Sequence, residues 1–164
     1  MKRICFLILL SLAVGNTHAQ LQKVYDEKRD PIAQIDSAVN VAKKEGKHVM
    51  CQVGGNWCRW CLMFADFVEK NDTVGKMMRD NYVYTHVNYT NLKNRNSQRV
   101  AERLNNPGRF GFPVFVILDG EGNILHTQDS GFLEEGEGYS EKSVLQFLKN
   151  WTKKATAKLS FSPQ

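Results

Sequence analysis

Two cysteines three residues apart, Cys58 and Cys61, lie in the run Trp57-Cys58-Arg59-Trp60-Cys61 and are the side chains of this sequence best suited to chemistry. An apolar run and the pair Gly54-Gly55 precede them, and a helical pattern follows. The spacing therefore places Cys58 at a helix N-terminus, where unpaired N–H groups and the helix dipole favour a thiolate. Arg59 adds a positive charge beside it. Cys61 falls one turn further along on the same side, a spacing that permits a small disulfide within the helix. The chemistry this allows is exchange: Cys58 attacks a substrate disulfide, and Cys61 then attacks the mixed disulfide and releases the substrate. Half of a zinc site is the competing reading of such a pair. Zinc needs four ligands, and only Cys51 and the isolated His48, His86 and His126 remain to supply them. No metal and no cofactor are expected.

The elements that must carry the pair follow from periodicity. Asp30-Pro31 starts a helix with Ile32, Ile35, Val39 and Ala42 on one face, ending near Glu45 before Gly46. His48 to Val53 reads as a strand buried on both faces. Cys51 on it is a small buried hydrophobe, turned to the opposite sheet face from Gln52. From Cys58 the pattern is helical to about Lys70, with Leu62, Ala65 and Val68 inward and Phe64 and Phe67 in the core. Asp72 is expected to cap another short helix carrying Val74, Met77 and Met78. Tyr82 to Tyr89 reads as a second strand, 97–104 as a modest helix, and 114–128 as an antiparallel hairpin turning at Asp119 to Gly122. A final helix, 140–156, puts Val144, Phe147, Leu148 and Trp151 on one face. Glu134 to Gly138 reads as a solvated loop. The predicted fold class is α/β, one domain around a central mixed sheet with helices on both faces.

The first residues stand apart from that domain. Lys2 and Arg3 precede an apolar run from Ile4 to Val14, and Ala19 closes a small-residue site before Gln20. This is the layout of a secretory signal peptide over 1–19, leaving 20–164 as the mature domain. The apolar run is too short for a membrane span, so no stable membrane insertion is expected after cleavage. The whole chain of 164 residues carries 22 Lys+Arg against 17 Asp+Glu. Removing Lys2 and Arg3 leaves 20 against 17, scattered rather than clustered, which gives no nucleic-acid signal. Export implies a compartment where disulfides persist, and the odd number of remaining cysteines makes a poor structural framework.

Taken together, the strand, Gly54-Gly55-Asn56-Trp57-Cys58-Arg59-Trp60-Cys61 and Gly111-Phe112-Pro113-Val114 resemble the thioredoxin superfamily over about 31–157. The chain looks most like its secreted bacterial members with a W-C-x-W-C active site. The resemblance implies a thioredoxin fold and a thiol-disulfide oxidoreductase, placed in the bacterial periplasm. It makes Cys58 the attacking cysteine and Cys61 the resolving one. Trp57, Arg59, Trp60, Phe112 and Pro113 would form the substrate-binding surface, with Pro113 following a cis peptide and Phe112 pairing its backbone with a bound peptide. Gly131 resembles the glycine that ends the last strand. The implied partners are protein thiols and disulfides, with a membrane-bound thiol as electron donor. A peptide-binding or protein-binding module of the same fold, with a stable disulfide, is the alternative reading.

Departures from the family pattern carry information too. Arg59-Trp60 replaces the Gly-Pro of thioredoxin between the cysteines. Gln52 stands where thioredoxins bury an aspartate that assists deprotonation of the second cysteine, and an amide cannot take up a proton at neutral pH. His86, on the next strand, matches a buried lysine of thioredoxins and is the candidate for proton transfer, its bland reading being a hydrogen-bonded structural histidine. Trp60 is expected to be exposed. Glu134 to Gly138 looks like an insertion relative to thioredoxin.

Overall fold

A computed structural model describes residues 21–157. The segment read as a signal peptide lies outside them. Helix α1 (Pro31–Glu45) opens where the sequence places it, because the Asp30 carboxylate accepts from the N–H groups of Ile32 and Ala33 at 2.8 and 3.0 Å. Gly46 closes it in the left-handed conformation, φ 68°. Strand β1 (His48–Gly54) is buried along its whole length. Helix α2 (Arg59–Lys70) follows, with Cys58 itself as N-cap.

Asn71, rather than Asp72, caps helix α3 (Asp72–Asn81), its side chain accepting from the Val74 N–H at 2.9 Å. Strand β2 (Tyr82–Asn88) leads to α4 (Arg95–Arg103), which begins earlier than its apolar pattern predicts because Asn94 caps it by accepting from the Ser97 N–H. Strands β3 (Val114–Leu118) and β4 (Ile124–Asp129) form the predicted antiparallel pair.

The sheet order is β2-β1-β3-β4, with β1 parallel to β2 and the other pairs antiparallel. Alternation along β1 divides the core. Val49, Cys51 and Val53 face α1 and α4 through Ile35, Ala42, Val100 and Leu104. Met50 faces α2 and α3 through Phe64, Val68, Val74 and Met78. The expected mixed sheet with helices on both faces is the fold observed.

Two expectations change at the C-terminal end. The predicted last helix is two, α5 (Glu141–Asn150) and α6 (Lys153–Thr156). Trp151 leaves the helical path to stack on His126, ring centroids 4.2 Å apart, and the Thr152 hydroxyl caps the next turn by accepting from the Ala155 N–H. The stretch expected to be a loop holds a small hairpin, β5 (Glu134–Glu135) paired with β6 (Gly138–Tyr139). Tyr139 anchors it by packing edge-on against Phe64 at 4.9 Å. No helix among the described residues is long and apolar enough to cross a membrane.

Candidate active site

Strand β1 delivers Gln52 and Gly54 to the carboxyl end of the sheet, and Gly55-Asn56-Trp57 turns the chain into α2. Cys58 closes that turn through its N–H to the Gly55 carbonyl, 3.0 Å. Cys58 and Cys61 are joined in a disulfide, Cα to Cα 5.2 Å, and Cys58 Sγ accepts from the Cys61 N–H at 3.2 Å. One sulfur of the pair thus sits on the unpaired N–H groups of a helix start, where a negative charge is stabilised. The two cysteines differ in access: Cys58 is 7% exposed and Cys61 0%. Cys51 lies on the other sheet face, and burial pushes its thiol up to about 12, so it stays protonated and inert.

Both glycines before the pair are required by close approach. A methyl on Gly54 would overlap Cys61 Sγ, and one on Gly55 would overlap the Trp57 indole. Trp57 lies half-exposed over the turn, its Nε1–H donating to the Tyr89 carbonyl at 2.9 Å. Its ring meets Phe112 edge-on at 5.4 Å, and Phe112 packs on Tyr89 at 5.0 Å. The Phe112-Pro113 peptide is cis and Pro113 is buried. Phe112 also packs on the cluster formed by Cys58, Cys61, Leu62 and Tyr25. Trp57, Phe112 and Pro113 therefore gather with the cysteine pair.

Arg59 is exposed and makes no ion pair among the described residues. Trp60 is half-buried rather than exposed, because the β5-β6 hairpin reaches it. Tyr139 meets its ring edge-on at 5.7 Å and donates its hydroxyl to the Trp60 carbonyl at 3.1 Å. Between this hairpin and α2 an open groove of about 550 Å³ is lined by Leu21, Arg59, Met63, Phe67 and Tyr139 among others. Gly131 lies just past the end of β4, its N–H held by the Asp129 carboxylate at 2.8 Å.

Beneath Cys61 is a polar group that sequence reasoning leaves incomplete. Gln52 is fully buried and donates from Nε2 to the Cys61 carbonyl at 2.8 Å and to the Tyr25 hydroxyl at 2.6 Å. Its Oε1 accepts from the Tyr84 hydroxyl. Burial pushes both tyrosine hydroxyls above their ordinary range, so both remain protonated. His86 pairs with Gln52 across β1 and β2 but hydrogen-bonds to neither cysteine. Its ring packs edge-on against Tyr84 and Tyr25, its buried Nε2 has no partner among the described residues, and burial lowers it to about 4, which leaves it neutral.

Tyr25 comes from the strap before α1, which Asn56 pins down. Asn56 Oδ1 accepts from the Val24 and Tyr25 N–H groups, each at 3.1 Å, and Nδ2 donates to the Tyr25 carbonyl at 2.8 Å. With Asn56→Ala, the Val24 and Tyr25 amides are expected to exchange with solvent at least about tenfold faster, the effect of ~1.4 kcal/mol and thus of one or two such bonds. Unchanged exchange would show that the strap is held by the Tyr25 ring alone. Alternation along β2 puts Tyr84 on the face of Gln52 once the strands pair, whereas Tyr25 and Tyr139 carry no local signal.

Residues 30–120 match the family model described as thioredoxin-like. Over 107 residues the chain is 27% identical to the thiol:disulfide interchange protein DsbD of Colwellia psychrerythraea, covering 65% of this chain and 17% of that protein's length. Among solved structures it resembles a disulphide isomerase from Xylella fastidiosa Temecula1, with TM-score 0.68 and 22% identity over 80% of this chain and 98% of that one. It also resembles a thioredoxin from Thermus thermophilus, with TM-score 0.51 and 20% identity over 70% of this chain and 81% of that one.

Proposed function

This chain belongs to the thioredoxin-like family, and from that premise we propose that it is a thiol-disulfide oxidoreductase working through Cys58 and Cys61. The observation that carries the reading is the asymmetry of the pair: Cys58 caps a helix at the rim of the site, and Cys61 is sealed behind it. In the reduced protein the Cys58 thiolate attacks a substrate disulfide. One substrate sulfur leaves, and a Cys58-substrate disulfide forms. Cys61 then attacks Cys58 Sγ, the second substrate sulfur leaves as a thiolate, and two electrons have passed from the protein to the substrate.

Trp57, Phe112 and Pro113 form the surface on which the polypeptide around the substrate disulfide rests, and Arg59 and Trp60 border it on the hairpin side. Work in the bacterial periplasm belongs to the same proposal, as does a membrane-bound thiol that restores the dithiol. Export is supported by the signal-peptide layout of 1–19, and exchange with protein thiols by the likeness to a thiol:disulfide interchange protein.

The test is a trap. A Cys61→Ala chain, reduced and then mixed with a disulfide-bonded protein such as insulin, is expected to stop at the mixed disulfide on Cys58, visible as a mass adduct. The parent chain releases its substrate and becomes oxidised. Absence of the adduct, with the parent chain also unreactive, would favour a binding module with a fixed disulfide.

A further inference from the structure

Gln52 has two amide hydrogens and both are committed, one to the Cys61 carbonyl and one to the Tyr25 hydroxyl oxygen. The Tyr84 hydroxyl fills the carbonyl end, so the amide cannot flip without losing these bonds. Tyr25 accepts through this bond, and its own O–H donates to no partner among the described residues. The space left open by the missing Gly54 side chain is where that hydrogen can go. A methyl there would come to 3.0 Å from Tyr25 Oη and overlap Cys61 Sγ, so the two atoms border the same small space. Tyr25 is 4% exposed and packs in one cluster with both cysteines.

We infer that, once the disulfide opens, the Tyr25 hydroxyl donates a hydrogen bond to Cys61 Sγ and holds it as the thiolate that resolves the mixed disulfide. The inference rests on the oxidoreductase reading above and deepens it. Tyr25 keeps its own proton throughout. Cys61 loses its proton to solvent, its sulfur forms the bond to Cys58 Sγ, and the Cys58-substrate bond breaks with its electron pair on the departing sulfur. Gln52, at the strand position where thioredoxins bury an aspartate, and Tyr84 are the positioning residues that aim this donor.

The titratable groups around this sulfur are few. His86 packs on Tyr25 and Tyr84 bonds Gln52 from β2, Tyr139 bonds the Trp60 carbonyl from the hairpin, and Cys58 and exposed Arg59 stand at the start of α2. Burial keeps His86 neutral and the tyrosines protonated.

The test uses 5,5'-dithiobis(2-nitrobenzoate), which reports the two steps separately. Attack by Cys58 releases one coloured thiolate, and resolution by Cys61 releases the second. In Tyr25→Phe the first release is expected to be unchanged, and the second to slow by about ten- to a hundredfold at pH 7, as for loss of a hydrogen bond to a charged group. Its pH profile is expected to move upward. An unmoved second phase in a folded Tyr25→Phe chain, with the parent chain showing both, would overturn this inference and leave the oxidoreductase reading intact. A parent chain with no second release would overturn that reading itself. Should Tyr25→Phe fail to fold, ultraviolet titration of Cys61 in a Cys58→Ser chain, where buried Cys51 stays protonated, decides: a thiol titrating below the free value supports the inference, and one raised by burial overturns it.

Discussion

A Gly54→Ala chain is expected to hold its cysteine pair reduced in a glutathione buffer that keeps the parent chain oxidised. The new methyl would meet Cys61 Sγ. In the disulfide that sulfur is tethered to Cys58 and cannot withdraw, whereas in the dithiol Cys61 can turn to another staggered rotamer. Overpacking of ~1–3 kcal/mol therefore falls mainly on the oxidised form. For a two-electron couple this raises the potential by about 20–60 mV. Equilibration against glutathione, followed by the fluorescence of Trp57 and Trp60, reads the shift. An unmoved potential would show that Cys61 gives way at no cost and would remove Gly54 from the design of the site.

The parent couple is itself expected to be less reducing than the ~−270 mV of thioredoxin. Cys58 caps α2, Arg59 stands exposed beside it, and the group beneath Cys61 is a neutral amide rather than a carboxylate. Each of these favours thiolate over disulfide, and ~1.4 kcal/mol of such preference corresponds to ~30 mV. Arg59→Ala is expected to lower the potential by about 10–20 mV, in keeping with ~0.5–1 kcal/mol for an exposed charge. A parent value at or below that of thioredoxin would refute this electrostatic account. An unchanged potential in the Arg59 variant would confine the effect to the helix terminus and Gln52.

The scaffold is legible in the sequence wherever an element carries its own period or cap. Ile35 and Ala42 mark the inner face of α1, Asp30 and Gly46 mark its ends, and the unbroken apolar run of β1 announces a strand covered on both sides. The cysteine pair is legible for the same reason, since glycines, helix start and spacing are all local. Where tertiary contact decides, the pattern misleads. Trp151 continues the spacing of Val144, Phe147 and Leu148, yet His126 on a neighbouring strand offers its ring a stacking partner, and the helix breaks there. Two-residue strands are too short to show alternation, so the β5-β6 hairpin reads as a loop. Tyr25 is a single aromatic residue followed by charges, and only the folded chain reveals that it lies against Gln52.

The thioredoxin-like match begins at residue 30 and ends at residue 120, and Tyr25, which packs on the pair, and Tyr139, which holds the Trp60 carbonyl, both lie beyond those bounds. Tyr25 reaches the site from the strap before α1, and Tyr139 from the hairpin after β4. The common scaffold thus supplies the thiols, while appendages at its two flanks supply much of what surrounds them. On the proposed reading the site is modular: substitutions in strap or hairpin are expected to retune its reactivity while the four-stranded sheet stays as it is. For protein engineering the corollary concerns boundaries. A chain begun at residue 30 would keep the motif, the sheet and the cis peptide but lose Tyr25, and would be a different reagent from the protein it was cut from.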